Sequence, residues 1–317
     1  MASAAAPRLL VAPVRDELFE SAVERGGGVA VGEDGPASRD GIDGLIWSSF
    51  SVEGLPDVLG AHQAVRWVQL PMAGVEILFE SGLLDDPRWR GVTWTCAKGS
   101  YARPVAEHAL ALALAGLRRL PERARAVSWG QRAATTLFGA EVTILGGGGI
   151  ATELLALLAP FEVRATVVRA NPLPLEGAAR TVGSAQLRSV LPGSLVVFVA
   201  LALSPATVGI IGAQELALMG PDAWLVNVAR GRHVRTGDLV DALRAGRIGG
   251  AALDVTDPEP LPDGHPLWSM PNCLITPHTA DTDEMTRLLL AVRVEENVRR
   301  LAAGLPLAGA VDPVAGY

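Results

Sequence analysis

Along almost the whole chain, short apolar runs alternate with segments whose apolar residues recur at helical spacing. This alternation predicts βαβ units, with parallel sheets covered by helices on both faces. In the first hundred residues the runs fall at Arg8 to Val11, Val29 to Val31, Gly44 to Trp47, Val65 to Leu70 and Val92 to Thr95, enough for one small α/β sheet. Pro104 then opens an Ala- and Leu-rich segment from Val105 to Ala115. It predicts a helix with proline at its first position and, because it is apolar nearly all round, a buried one. A polar, arginine-rich stretch follows from Arg118 to Thr136, with Trp129 in its middle. Beyond it, Glu141 to Leu145 predicts a strand, Gly146 to Ala151 a tight turn and Thr152 to Leu158 a helix. Further strands are expected at Val163 to Val168, Leu195 to Val199, Trp224 to Val228, Gly250 to Leu253 and Cys273 to Thr276, and a long amphipathic helix at Met285 to Ala302.

Length adds a division: 317 residues exceed the usual single domain, so two domains are expected. With 49% hydrophobic and 19% charged residues, disordered and collagen-like classes are excluded. The net charge is −7, and Lys98 is the one lysine among 27 basic residues, so no basic patch calls for nucleic acid. Cys96 and Cys273 are too few for a disulfide framework and too far apart for a C-x-x-C metal site, which points to a reduced, cytoplasmic protein without structural zinc. The longest apolar stretches, Ala109 to Leu117 and Leu195 to Leu203, are about half the ~18 residues a membrane span needs. Arg8 alone precedes the first apolar run and Asp16 and Glu17 follow it, a poor signal peptide.

The fragment Gly146-x-Gly148-x-x-Ala151 lies between an expected strand and an expected helix, the context in which such a turn binds a dinucleotide. Its first glycine permits the turn, its second lets backbone approach a pyrophosphate, and Ala151 lets the helix pack close to the sheet with its N-terminus toward the phosphates. At the end of the next strand stands Arg169, where NAD-preferring sites carry Asp or Glu. A guanidinium pairs with a 2′-phosphate instead, so NADP(H) is favoured and NAD(H) remains possible. An ordinary solvated strand end is the alternative reading of Arg169.

Three later segments each end an apolar strand in a polar group: Leu225 to Gly231 with Arg230, Ala252 to Pro260 with Asp254 and Glu259, and Leu274 to Ala280 with His278. In this order behind the glycine turn they resemble the D-isomer-specific 2-hydroxyacid dehydrogenase family, which includes glyoxylate/hydroxypyruvate reductases and phosphoglycerate dehydrogenase. The resemblance runs from about Leu70 to Asp281 and takes in Val105-Ala106-Glu107-His108. It departs at Gly149, where a longer polar residue is common, and at Leu195 and Ala202, where Asp and Pro are.

The resemblance implies two Rossmann-like or flavodoxin-like α/β domains with a cleft, the cofactor domain inserted into a discontinuous substrate domain. That gives residues 1–102 and 282–317 to the substrate domain and 103–281 to the cofactor domain. Hydride addition to a 2-oxo acid leaves an alkoxide that needs a proton, and His278 is the candidate acid. Glu259 would orient it and raise its pKa, and Arg230 would bind the substrate carboxylate and polarise the carbonyl. Gly146, Gly148, Gly149, Ile150, Ala151, Arg169 and Val228 are expected at the cofactor, with Asp254 near its nicotinamide end. Met72, Ala73 and Gly74 are expected to hold the substrate carboxylate by their backbone. His108 is read as structural, Lys98 as a solvated loop lysine, and His62, His233 and His265 have no nameable partner. A homodimer is expected through the cofactor domain, with the helix from Val105 and the following arm at the interface. Two rival readings stand beside this one: an NAD-linked dehydrogenase of another D-2-hydroxy acid such as phosphoglycerate, and a non-catalytic dinucleotide-sensing protein.

Overall fold

The structure, a computed structural model, describes residues 5–32 and 41–313. The chain divides into two compact units, one taking the segments up to Tyr101 and from Asp283 onward, the other Ala102–Thr282.

In the first unit, β1 (Arg8–Ala12), β2 (Val29–Val31), β3 (Gly44–Trp47), β4 (Trp67–Gln69) and β5 (Thr93–Thr95) form one sheet in the order β2-β1-β3-β4-β5. Every pair is parallel, and β3 is buried from end to end, as a strand covered on both faces must be. The helix Glu17–Arg25 is started by Asp16, whose carboxylate accepts from the Leu18 N–H at 2.9 Å. Against it packs the helix Asp283–Ala302. This last helix is tied to the sheet by a buried polar chain: Asn297 Nδ2 donates to Gln69 Oε1 at 2.8 Å, and the Thr95 hydroxyl, itself the acceptor for Trp67 Nε1, donates to the same oxygen.

The second unit has seven parallel strands: β6 (Glu141–Leu145), β7 (Arg164–Arg169), β8 (Arg180–Gly183), β9 (Val196–Val199), β10 (Trp224–Asn227), β11 (Gly250–Leu253) and β12 (Cys273–Ile275). Their order is β12-β11-β10-β9-β6-β7-β8. The strand order therefore reverses between β6 and β9, and beyond the carboxyl ends of such a pair α/β sheets bind their ligands. Leu145, Val197, Val199, Leu225, Ala251 and Leu253 join one buried core on these strands.

Several expectations need correcting. The edge strand β8 was not foreseen; Arg180-Thr181-Val182-Gly183 buries only Val182, too little apolar signal to announce a strand. The helix expected from Pro104 begins at Ala102, which puts proline in its third position, still within the first turn where no intrahelical N–H bond is lost. Nor is this helix buried all round: Val105, Ala106, Ala109, Leu112 and Ala113 are buried, Leu110 and Leu114 are half-buried, and Glu107 and Ala111 are exposed. The helix after the glycine turn starts at Gly149, inside the segment expected to be turn. No helix among the described residues is long and apolar enough to cross a membrane.

Candidate active site

The glycine turn leaves β6 at the reversal of strand order. Gly146 has φ +108°, and a Cβ there would run into the Ala200 carbonyl at the end of β9, so only glycine lets the two strand ends approach this closely. A Cβ on Gly147 would lie 2.7 Å from Arg169 Cδ, so the Arg169 side chain leans back from the end of β7 over the turn. Gly148 caps the helix Gly149–Leu158 without a side-chain acceptor and faces open space, while Ile150 is half-buried and Ala151 fully buried against the sheet. The helix therefore presents uncapped first-turn N–H groups next to the turn over which the Arg169 guanidinium leans. These residues fit the pyrophosphate and 2′-phosphate of a dinucleotide.

Arg230 follows β10 by three residues. Its backbone carbonyl accepts from Asn227 Nδ2 at 3.0 Å and lies 3.1 Å from His233 Nδ1, and both of those side chains are fully buried. His233 Nε2 is 3.3 Å from the Ala202 carbonyl beyond β9, so this histidine spans two loops of the sheet end. A Cβ on Gly231 would overlap the Thr256 carbonyl, which presses the Arg230 loop against the loop that carries Glu259. Val228, in the same loop as Arg230, is buried at 6% exposure.

His278 adopts φ +51°, a left-handed conformation rare for a residue with a side chain. Its Nδ1 lies 2.6 Å from Glu259 Oε1, and both side chains are more than two-fifths exposed. The hydrogen bond to Glu259 raises the His278 pKa, against burial, and the same bond holds the Glu259 carboxyl below its ordinary value. Arg230 acts on both electrostatically. Burial pushes Asp281, three residues further on, upward.

Asp254 is 2% exposed. Its Oδ1 accepts from the Thr276 hydroxyl at 2.5 Å and from the Thr279 N–H at 2.9 Å, its Oδ2 from the Ala280 N–H at 3.1 Å, and His108 Nε2 lies 3.3 Å from Oδ1. Burial pushes its pKa up, but these hydrogen bonds outweigh it and the net shift is downward. His108 also lies 3.0 Å from the Thr276 hydroxyl and is half-buried.

Arg230, Glu259 and His278 thus meet at the ends of β10, β11 and β12, with the glycine turn and Arg169 at the ends of β6 and β7. Met72, Ala73 and Gly74 follow β4 in the other unit; Met72 is buried and its carbonyl accepts from the Ala97 N–H at 2.8 Å. Sequence reasoning missed Thr276, took His108 for a buried structural residue and gave His233 no partner. The available signal for His108 was its place three residues after Val105 and four before Leu112, on the inward stripe of its helix. His265 caps the short helix Pro266–Ser269, accepting from the Leu267 N–H at 3.3 Å. Among the described residues no group of His, Cys, Asp and Glu side chains is arranged to hold a metal ion.

Residues 109–280, which include Arg169, Arg230, Asp254, Glu259 and His278, match the NAD binding domain of the D-isomer specific 2-hydroxyacid dehydrogenases. The chain belongs to this family. It is 32% identical over 284 residues to the glyoxylate reductase/hydroxypyruvate reductase of Homo sapiens, covering 87% of this chain and 84% of that one. Among solved structures, the D-isomer specific 2-hydroxyacid dehydrogenase of Xanthobacter autotrophicus in complex with NADPH and MES is similar with a TM-score of 0.81 and 29% identity, over 99% of this chain and 100% of that one. The NADPH-dependent glyoxylate/hydroxypyruvate reductase of Sinorhizobium meliloti in complex with NADP and sulfate follows with 0.77 and 26%, over 98% and 100%. As a member, this 2-hydroxyacid dehydrogenase is an NAD(P)-dependent oxidoreductase built from two parallel-sheet α/β units.

Proposed function

We propose that this dehydrogenase reduces small 2-oxo acids of the glyoxylate and hydroxypyruvate type to 2-hydroxy acids, of D configuration where the product is chiral, with NADPH favoured over NADH and His278 as the acid. The observation that carries this reading is the 2.6 Å contact between His278 and Glu259 beside Arg230, in the same sheet as a dinucleotide turn.

When bound, the nicotinamide dinucleotide supplies the hydride. Gly146, Gly148, Gly149, Ile150 and Ala151 hold its pyrophosphate through the turn and the helix N-terminus, and Arg169 pairs with the 2′-phosphate. Arg230 receives the substrate carboxylate on its fork, polarises the 2-oxo group and turns the carbonyl toward the reduced ring. His278 gives the proton on Nε2 to the oxygen that becomes the alcohol, while Glu259 on Nδ1 fixes the ring's orientation and favours its charged form. Family membership extends the substrate-binding assignment to the backbone at Met72, Ala73 and Gly74, and the cofactor assignment to Val228 and Asp254.

We assign the protein to the cytoplasm, a reading supported by its two free, buried cysteines. We also assign it a homodimer through the 102–282 unit; Leu120, Val127 and Trp129, exposed at 53%, 101% and 92% on the arm after the helix Ala102–Leu117, support this. A steady-state screen of glyoxylate, hydroxypyruvate and larger 2-oxo acids with NADPH and NADH tests the reading. Turnover restricted to a larger 2-oxo acid with NADH would favour the phosphoglycerate-type alternative. Dinucleotide binding without any turnover would favour a sensor.

A further inference from the structure

Just beyond β4, three successive carbonyls are each held by a different donor. Leu70 O accepts from Gln69 Nε2 at 2.8 Å, Pro71 O from the Tyr101 hydroxyl at 2.5 Å and Met72 O from the Ala97 N–H at 2.8 Å. Gln69 is fully buried and its amide has one orientation, because Oε1 already accepts from Asn297 Nδ2 and the Thr95 hydroxyl. Tyr101 and Ala97 are buried as well. The Ala97 donor is fixed from behind: Arg293 Nη1, on the helix Asp283–Ala302, donates to the Cys96 carbonyl at 3.3 Å and to the Lys98 carbonyl at 3.1 Å.

The peptide bonds from Leu70 to Ala73 are trans, and in a trans peptide the carbonyl and the N–H point in opposite directions. Holding the Pro71 and Met72 carbonyls against buried donors therefore turns the Met72 and Ala73 N–H groups the other way. Ala73 is exposed, and no group among the described residues accepts from the N–H of Met72, Ala73 or Gly74. Consecutive backbone N–H groups left over in this manner suit an anion.

We propose that Tyr101 is a positioning residue for the substrate carboxylate: its hydroxyl sets the Pro71–Met72 peptide, the Ala97 N–H sets the next one, and the two together aim the Met72 and Ala73 N–H groups at the carboxylate. The proposal rests on the reading of the Met72 to Gly74 backbone as the place where that carboxylate binds. Tyr101 is also the last residue of the first unit, directly before the helix Ala102–Leu117, so the point at which the chain leaves the unit is tied to this loop.

The test compares the full chain with Tyr101→Phe, which keeps the ring and removes the donor. The measurements are kcat and KM for glyoxylate, hydroxypyruvate and a larger 2-oxo acid, the Kd of oxamate with NADPH bound, the Kd of NADPH and the melting temperature. Tyr101→Phe is expected to raise all three KM values and the oxamate Kd by about three- to tenfold, the worth of one hydrogen bond, with kcat within roughly twofold and NADPH binding unchanged. The rise is expected to be equal across the acids, because they share the carboxylate and differ in the tail. A lowered melting temperature with KM and oxamate binding unmoved would make the hydroxyl merely structural and overturn the proposal. A rise confined to the larger acid, or a loss that falls on kcat alone, overturns it too. If the unaltered chain reduces no 2-oxo acid, the proposed activity fails, and oxamate binding in Tyr101→Phe decides the positioning by itself. Absence of oxamate binding to the unaltered chain overturns both.

Discussion

His278 and Glu259 stand 19 residues apart in sequence, yet the ring nitrogen Nδ1 of one lies 2.6 Å from a carboxylate oxygen of the other. The pair is not a buried ion pair: both side chains are more than two-fifths exposed, so it owes little to stability and its value lies in what it does to the ring. Nδ1 is occupied by Glu259, and that bond biases the ring toward its charged form.

Replacing His278 by alanine is expected to lower kcat for 2-oxo acid reduction by about 10²- to 10⁴-fold, the usual worth of a positioned acid. Fluorescence titration with NADPH checks that dinucleotide binding persists. An undiminished rate would take His278 out of the mechanism.

The raised pKa of His278 fixes the direction of the pH profile. Reduction needs the ring protonated, so kcat/KM for the 2-oxo acid is expected to hold at low pH and fall as pH rises through the His278 pKa, while oxidation of the hydroxy acid shows the opposite limb. In Glu259→Gln the limb is expected to move to lower pH, because the bond that raises the pKa is lost. The same shifts set the stability window: the His278 contribution is present below its unfolded pKa and is lost as pH rises through the raised folded value. The Glu259 contribution is present above its unfolded pKa and is lost as pH falls through the lowered folded value.

Arg169→Asp is expected to shift the ratio of kcat/KM from NADPH toward NADH by about tenfold or more, as a guanidinium over the turn is exchanged for an acceptor suited to ribose hydroxyls. Equal ratios before and after would show Arg169 to be only a solvated strand end.

Gly231→Ala is expected to destabilise the protein by about 1–3 kcal/mol, since its Cβ would overlap backbone at Thr256 and neither loop can yield alone. Thermal unfolding measures it, at roughly 2–4 °C per kcal/mol for a unit of this size. The KM for the 2-oxo acid is expected to rise with it, because the residue before Gly231 is Arg230, which we propose binds the substrate carboxylate.

Much of this was legible beforehand because parallel strands buried on both faces are solid apolar runs: Val196–Val199 and Trp224–Asn227 are buried throughout, and the sequence pattern marked both to within a residue or so. The polar residues that end such runs, Arg230 and His278, stand out for the same reason. What could not be read were partners brought together by tertiary structure. His233 meets the Ala202 carbonyl 31 residues away, and His108 meets Thr276 across 168, and no local period encodes either contact. The strand Arg180–Gly183 stayed hidden because an edge strand buries one residue and leaves no apolar signature.

The trio of Arg230, Glu259 and His278 hangs from three neighbouring strands, β10, β11 and β12, and neighbouring strands lie about 4.8 Å apart whatever their side chains. The sheet thus serves as a ruler for the trio, its spacing set by hydrogen-bond length, while the loops beyond the strands carry the side chains from there. Residues away from these strand ends can be exchanged without moving the graduations, so sequence is free to drift elsewhere while the trio keeps its spacing.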